Sequence, residues 1–183
     1  MLRIIGGTWR GRTWRFPKGD IRPTPDRVRE TLFNWLAPGI AGARCLDLFA
    51  GSGALGLEAL SRGAARVVFV EQALAAAREL RRTLNLWGGP QTEAAHIHTG
   101  EAGGYLAGTP ELFDVVFLDP PFAGELLGQA AARLESGDWL APGALIYAEC
   151  PAREGLPPLP TGWLVSKAGR AGEVGYHLLR RTP

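Results

Sequence analysis

The sequence predicts an α/β fold built on a doubly wound parallel sheet. Between residues 44 and 150, short apolar runs alternate with segments of helical periodicity. Strands that alternate with helices form βαβ units, whose strands lie parallel in one sheet. The last two apolar runs, residues 162–169 and 175–181, are too close in sequence for a crossover helix, so they predict an antiparallel β-hairpin at the sheet edge.

The individual elements follow from local patterns. Apolar runs that end in turn residues predict five parallel strands, at residues 44–49, 66–71, 94–99, 113–119 and 143–150. Amphipathic or alanine-rich segments between them predict helices at residues 54–63, 72–88, 101–106 and 124–136.

The N-terminal part has a different character. Residues 2–16 predict a small β-hairpin that turns at Gly6–Gly7. Residues 22–36 predict a helix with Thr24 as N-cap and Pro25 at the first helical position. We therefore divide the chain into a basic N-terminal extension, residues 1–36, and a larger α/β domain, residues 37–183.

Bulk composition excludes several classes of protein. The 183 residues contain no apolar run of the roughly 18 residues that span a bilayer, and the first residues do not resemble a signal peptide. Cys45 and Cys150 form no C-x-x-C pair, and no third ligand accompanies His96 and His98. We expect a cytoplasmic, monomeric protein without a metal site or a membrane partner.

Charge is distributed unevenly along the chain. Residues 1–35 contain eight Lys/Arg and three Asp/Glu, residues 36–162 contain eight and fourteen, and residues 163–183 contain four and one. An acidic centre with basic ends is typical of a domain that carries a surface for a polyanion such as RNA. A solvated arginine-rich surface is the alternative explanation.

The motif GSGALG, residues 51–56, follows the first predicted strand and fits the pattern G-x-G-x-x-G. The pattern alone is compatible with a nicotinamide cofactor, with another nucleotide-like cofactor, or with none. Asp47 stands four residues before Gly51, where a nicotinamide fingerprint has apolar strand core. A carboxylate is costly to bury without a partner, so Asp47 favours a ligand that carries an ammonium group, as S-adenosylmethionine does. A fold-stabilising carboxylate that accepts backbone N–H groups is the alternative.

Acidic residues also end the next two strands. Glu71 ends the second strand and can accept both hydroxyl groups of a ribose. Glu101 follows the third strand, where it either approaches an adenine amino group or lies exposed at a helix N-terminus.

The fourth strand ends in LDPPF, residues 118–122. Two consecutive prolines have no N–H group and form a stiff turn, so this backbone presents only acceptors. The Asp119 carboxylate and the carbonyl groups of Asp119 and Pro120 can grip an amino group, and Phe122 offers a face on which a base can stack. We expect this turn to recognise an exocyclic amine.

Together, DLFAGSGALG, Glu71 and DPPF resemble the class I S-adenosylmethionine-dependent amino-methyltransferases. With RIIGGTWRGR, RPTPDRVRETLFNWL and GRAGEVGYHLL, nearly the whole chain resembles the bacterial small-subunit rRNA guanine-N2 methyltransferases, the RsmD family. The resemblance implies a Rossmann-like fold and methyl transfer to a guanine of 16S rRNA, either free or in the small subunit or its assembly intermediates. Two departures from the family pattern are Glu101, where Asp is usual, and Gln72, where a basic residue is frequent.

The resemblance also implies roles for particular residues. The catalytic turn comprises Asp119, Pro120, Pro121 and Phe122. The residues expected to hold S-adenosylmethionine are Asp47, Phe49, Ala50, Gly51, Gly53, Glu71, Gln72, Glu101 and Ala102. The residues expected to contact RNA are Arg3, Arg10, Arg12, Arg22, Thr24, Arg27 and Arg29, with Trp9 and Trp14 either stacking on RNA or packing in the core.

Three other functions remain open at this point. Methylation of adenine N6 in DNA or RNA, or of cytosine N4 in DNA, shares the D-P-P-F motif. A nicotinamide-dependent oxidoreductase shares G-x-G-x-x-G. A non-catalytic RNA-binding factor of ribosome assembly accounts for the basic ends alone.

Overall fold

A mixed sheet of seven strands forms the centre of the structure, a computed structural model that describes residues 1–16, 23–121 and 123–182. Two short strands, β1 (Leu2–Arg3) and β2 (Thr13–Trp14), pair separately near the N-terminus. The central sheet contains β3 (Arg44–Asp47), β4 (Arg66–Glu71), β5 (Ala95–Thr99), β6 (Phe113–Leu118), β7 (Leu140–Pro151), β8 (Trp163–Ala171) and β9 (Val174–Arg181).

The strand order in the central sheet is β5-β4-β3-β6-β7-β9-β8. The first five strands in this order are parallel, whereas β9 is antiparallel to both of its neighbours. Both the predicted doubly wound α/β class and the antiparallel hairpin at the sheet edge are confirmed. β7 begins three residues earlier and ends one residue later than predicted, and its residues 145–151 pair with residues 174–180 of β9.

Helices cover both faces of the sheet. They are α1 (Asp26–Leu36), α2 (Ala54–Ser61), α3 (Leu74–Trp87), α4 (Pro90–Glu93), α5 (Ala102–Tyr105) and α6 (Ala123–Ser136). One apolar cluster packs residues 4–14, α1, α2 and α3 on one face of the sheet. The second cluster packs α5 and α6 on the other face. Cys45 and Leu46 are adjacent in β3 and belong to different clusters, as expected where successive side chains alternate between faces.

The N-terminal segment, which comprises β1, β2, the loop between them and α1, differs from its prediction in two respects. β1 and β2 are antiparallel, but the chain between them forms a wide loop instead of a tight turn at Gly6–Gly7. A side chain at Gly7 would overlap the Ser61 carbonyl, because this loop lies directly against the end of α2. The N-cap of α1 is Pro25, one residue later than predicted, and it makes no side-chain capping bond.

The N-terminal segment is packed into the rest of the chain. Ile4, Trp9 and Trp14 are buried in the same cluster as α2 and the sheet residues Cys45 and Phe69. No helix within the described ranges combines the length and the apolar character that crossing a membrane requires.

Candidate active site

Four acidic side chains stand at the carboxyl ends of neighbouring strands. Asp47 ends β3, Glu71 ends β4, Asp119 follows β6 and Glu149 lies near the end of β7. The chain runs outward from β3 to β5 and then returns to β6 on the other side of β3, so this edge contains the topological switch point. Open α/β sheets bind their ligands at that place, which makes this edge the candidate active site.

The glycine loop between β3 and α2 has the sharp conformation that the motif predicts. Gly51 and Gly53 have φ angles of 53° and 76°, in the left-handed region that favours glycine. The Gly53 N–H donates to the Ala50 carbonyl at 2.7 Å, and the Ala50 N–H donates to the Val70 carbonyl of β4 at 3.0 Å. These bonds fix the loop beside the end of β4.

The third glycine of the motif has a packing role. A Cβ at Gly56 would overlap the ring of Phe69 in β4, so glycine allows α2 to lie directly on the sheet. Gly56 therefore serves the packing of α2, whereas Gly51 and Gly53 form the turn itself.

Glu71 links the loop that follows β3 to the residues that follow β4. Its Oε2 accepts the Gly51 N–H at 2.7 Å, and its Oε1 accepts the Ala73 N–H at 2.6 Å. Each carboxylate oxygen can accept more than one hydrogen bond, so Glu71 still has lone pairs for the hydroxyl groups of a ribose. The backbone bonds hold the carboxylate in place before any ligand binds.

Asp47 is buried and has an incomplete set of partners. Its Oδ2 accepts the Gly56 N–H at 3.0 Å, and the described residues give it no ion pair. Burial, with a further contribution from the negative charge of Glu71, raises the pKa of Asp47 to about 7. A ligand ammonium placed here would stabilise the ionised carboxylate that the protein alone disfavours.

Asp119 is half-buried and belongs to a cluster of acids and hydroxyl groups. The Thr24 hydroxyl donates to Glu149 Oε1 at 2.8 Å, and the same Thr24 oxygen lies 3.4 Å from Asp119 Oδ2. The Tyr147 hydroxyl also donates to Glu149 Oε1, at 2.7 Å. Burial and the neighbouring charges of Glu149 and Asp47 raise the pKa of Asp119 well above the usual aspartate range.

The remaining candidates of the turn and of the cofactor set lie around these acids. Pro120 is buried and Pro121 is exposed, while Phe122 lies outside the described residues. Phe49 is half-buried beside the cluster on the α6 side. Gln72 is exposed after β4, and Glu101 is exposed immediately before Ala102, the first residue of α5.

The structure separates the predicted RNA contacts into two groups. Arg3, Arg10, Arg12 and Arg27 are exposed, although Arg3 forms an ion pair with Asp26 at 2.8 Å. Arg22 lies outside the described residues.

The assignments of Arg29 and Thr24 to the RNA surface are wrong in this structure because both side chains are buried. Arg29 donates to the Asp26 carboxylate at 2.6 Å and to the Arg3 carbonyl at 3.0 Å, and its guanidinium lies 3.6 Å from Glu58. Thr24 faces Glu149 and Asp119, as described above.

Trp9 and Trp14 are also buried, which confirms the packing interpretation and contradicts stacking on RNA. Both indole rings contact Trp87 of α3 edge to face, with ring centroids 5.0 and 5.8 Å away. The Trp14 indole N–H donates to the Ser52 carbonyl at 3.0 Å. This bond connects the N-terminal segment to the glycine loop.

Three polar residues of this region escaped prediction. Glu149 and Tyr147 lie two apart in β7 and point to the same face, beside Asp119. Glu58 in α2 accepts the N–H groups of Ile5 and Gly6, at 2.9 and 2.8 Å, and so anchors the N-terminal loop. Glu149 is an acid within the apolar run ALIYAEC, as Asp47 is within RCLDLF. This pattern indicates a buried carboxylate.

Comparisons with known proteins agree with this geometry. A family model described as "Conserved hypothetical protein 95" matches residues 2–180. The protein named ribosomal RNA small subunit methyltransferase D of Escherichia coli K12 is 48% identical over 98% of this chain and 90% of its own. The protein of the same name from Haemophilus influenzae is 43% identical over 97% of this chain and 92% of its own.

Solved structures show the same architecture. A structure described as a putative methyltransferase from Escherichia coli superposes with a TM-score of 0.92 and 45% identity, over 99% of this chain and 98% of that one. An RNA methyltransferase from Salinibacter ruber, solved with S-adenosyl-L-homocysteine, has a TM-score of 0.66 at 18% identity and supports the fold alone.

Fold and site together define an α/β methyltransferase with a Rossmann-like sheet. Within that class, the chain belongs to the small-subunit rRNA methyltransferase D (RsmD) family.

Proposed function

We propose that this protein transfers the methyl group of S-adenosylmethionine to the exocyclic N2 amine of a guanine in 16S rRNA. The names of its relatives support an rRNA substrate. The choice of an exocyclic amine rests on the turn that contains Asp119, Pro120 and Pro121.

That turn is the observation that carries the proposal. Asp119 is half-buried at the switch point and offers carboxylate oxygens, while Pro120 and Pro121 contribute no N–H donor. An amino group has two hydrogens to donate, whereas a ring carbonyl has none and a ring nitrogen has at most one. The turn therefore favours an exocyclic amine over the other nucleophiles of a base.

The opposite side of the same edge fits S-adenosylmethionine. The buried Asp47 is matched to the ammonium group of its methionine part, Glu71 to its ribose hydroxyls, and the loop at Gly51 and Gly53 permits close approach of the backbone. Gln72 directly follows β4, and Glu101 and Ala102 lie at the start of α5, within the region assigned to the nucleoside. When bound, this cofactor supplies an electrophilic methyl group on a sulfonium.

The protein residues act on the acceptor. The lone pair of a guanine amine is delocalised into the ring, which makes the amine a weak nucleophile. An Asp119 oxygen and the Pro120 carbonyl accept its two hydrogens and orient the nitrogen for in-line attack. As the new N–C bond forms and the S–C bond breaks, the nitrogen becomes positive, and the negative charge near Asp119 stabilises it until one proton leaves to water.

The RNA is expected to approach across the exposed arginines of the N-terminal segment. Arg3, Arg10, Arg12 and Arg27 are exposed, and cations of this kind contact phosphates with little dependence on sequence. The target guanine must be unpaired or leave its helical stack to reach the Asp119 turn.

The test is a methyl-transfer assay with labelled S-adenosylmethionine and rRNA from a strain that lacks the enzyme. Naked rRNA, assembly intermediates and small subunits serve as parallel substrates, and the products are digested to nucleosides and identified by mass. The proposal predicts N2-methylguanosine as the labelled product with at least one of them.

Other outcomes separate the alternatives. N6-methyladenosine or N4-methylcytidine as product overturns the guanine assignment, and NAD binding without S-adenosylmethionine binding overturns the cofactor assignment. Failure of all three substrates to accept label, with intact RNA binding, supports a non-catalytic assembly factor.

A further inference from the structure

We propose that Glu149 is a positioning residue for Asp119, to which it is joined by a shared proton while the Thr24 and Tyr147 hydroxyl groups hold Glu149 in place. The inference rests on the function proposed above, because it assigns to Glu149 the task of orienting the amine-binding carboxyl group. No predicted contact of the substrate or of the cofactor requires Glu149.

The first observation is that one hydroxyl group lies beside both carboxyl groups, because the Thr24 oxygen is 2.8 Å from Glu149 Oε1 and 3.4 Å from Asp119 Oδ2. A threonine hydroxyl has a single proton and cannot donate to two ionised carboxylates at once, and two negative charges this close to each other disfavour ionisation of both acids. The pair therefore carries one negative charge and one proton when it is assembled.

The second observation shows which residue holds the charge. Glu149 Oε1 accepts hydrogen bonds from both Thr24, at 2.8 Å, and Tyr147, at 2.7 Å. Hydrogen bonds donated to a carboxylate stabilise its ionised form. The negative charge consequently resides mainly on Glu149, and the proton mainly on Asp119.

The third observation concerns the direction of Asp119. Its Oδ2 lies on the side of Thr24, 3.4 Å from the hydroxyl oxygen, whereas its Oδ1 has no hydrogen bond to the described residues. Engagement of one oxygen by the cluster leaves the other available to accept an amine hydrogen. Glu149 thus sets the rotation of the Asp119 carboxyl group and places a full negative charge close to the reacting nitrogen.

The other groups around the pair do not supply this proton or this charge. The negative charge of Asp47, at the end of β3, raises the pKa of Asp119. Tyr176 of β9 raises the pKa of Tyr147. Burial and the charge of Glu149 raise the pKa of Tyr147 well above its usual range, so Tyr147 remains a neutral donor.

The direct test is infrared spectroscopy of the protonated carboxyl C=O stretch at neutral pH. Glu149→Gln keeps an oxygen that can accept from Thr24 and Tyr147, and it offers an amide N–H to Asp119. We expect Asp119 to ionise in this variant, so one protonated-carboxyl band is lost relative to wild type. Asp119→Asn should lose the same band, because Glu149 is then left as a single carboxylate. Glu93→Gln, at an exposed position of α4, is the charge-matched control and should leave the band unchanged.

Kinetics then separate positioning from folding. Glu149→Ala removes the shared proton and the orientation, and we expect kcat to fall at least about tenfold with little change in the affinity for S-adenosylmethionine. Glu149→Gln should restore a substantial part of kcat, because it keeps a hydrogen bond to Asp119. If Glu149→Ala does not fold, Thr24→Val removes one of the two donors to Glu149 and should lower kcat in the same way.

Two results overturn the inference in an enzyme that is otherwise active. One is an unchanged protonated-carboxyl band in Glu149→Gln, and the other is a wild-type kcat in folded Glu149→Ala. Absence of methyl transfer by the wild-type protein is a different outcome, which rejects the proposed function itself.

Discussion

The two halves of the site use their acids in different ways. On the β3–β4 side, Asp47 and Glu71 accept hydrogen bonds from backbone N–H groups of the adjoining loops, at Gly51, Gly56 and Ala73. On the β6–β7 side, Glu149 accepts hydrogen bonds from the hydroxyl groups of Tyr147 and Thr24, and the Thr24 hydroxyl also lies next to Asp119. Thr24 is 125 residues away from Glu149 in the sequence.

This difference indicates how each half is built. The proposed cofactor side is built from β3, the glycine loop, α2 and β4, which are consecutive in sequence. The proposed acceptor side is complete only when the N-terminal segment is docked on α2 through Glu58 and on the glycine loop through Trp14. The proposed RNA-binding surface and the proposed orientation of Asp119 therefore depend on the same segment.

Asp47 gives the largest expected effect, on stability. Its folded-state pKa of about 7 lies above the ordinary 3.8, so the native state binds more protons and loses stability as pH rises from about 4 to about 7. Asp47→Asn should abolish this loss, which amounts to roughly 4 kcal/mol at pH 8. Urea unfolding across this pH range measures it. A wild-type protein whose stability relative to the variant does not change with pH would contradict the burial of an unpaired acid.

Arg29 and Arg27 form a matched pair that tests the docking of the N-terminal segment. Arg29 is buried between Asp26 and Glu58, and removing one partner of a buried ion pair costs about 3 kcal/mol or more. Arg29→Met should therefore lower the free energy of unfolding strongly, while Arg27→Met on the exposed side of α1 should change it by less than about 0.5 kcal/mol. Equal losses from both substitutions would refute the distinction.

Glu71 should affect the cofactor side alone. Glu71→Gln replaces one acceptor oxygen by an NH₂ group that faces a backbone N–H donor, so the loop at Gly51 loses a charge-assisted bond. We expect S-adenosylmethionine affinity, measured by calorimetry, to fall tenfold to hundredfold, roughly the effect of one hydrogen bond to a charged group. At saturating cofactor the rate should recover, and a persistent loss of kcat would place Glu71 on the acceptor side as well.

The exposed arginines should give the smallest effect. Arg10→Ala removes one exposed cation without a described ion pair, and it should weaken rRNA binding by a few fold at moderate salt. The slope of log K against log salt should fall by about one unit or slightly less. Binding at several salt concentrations measures this slope, which should stay unchanged if Arg10 does not contact phosphate.

Sequence patterns predicted the central sheet well because its signals are local. Apolar runs and helical periodicity located β4 without error and most other elements to within a few residues. The glycine motif marks positions where this fold requires glycine, because Gly51 and Gly53 have positive φ angles and Gly56 packs directly on Phe69.

Long-range contacts were beyond such patterns. Helix geometry places Arg27 and Arg29 on different faces of α1, but it does not show that one of them is buried beside an acid. Arg29 is buried next to Glu58, which belongs to α2 and is 29 residues away in the chain. The position of Thr24 in the sequence suits an N-cap, which is the role that the sequence analysis predicts. Its actual partners, Glu149 and Asp119, are more than 90 residues away in the chain.

The most direct test of a divided site is to measure both halves in one preparation of Asp119→Asn. Binding of S-adenosylmethionine by calorimetry and formation of N2-methylguanosine on rRNA are determined side by side with wild type. We predict cofactor affinity within about threefold of wild type and a rate of methyl transfer at least about a hundredfold lower, because the Asn NH₂ group replaces one oxygen of Asp119 and disturbs the orientation of the amine. A wild-type rate of N2-methylguanosine formation, or a loss of activity fully explained by weaker cofactor binding, would contradict the account.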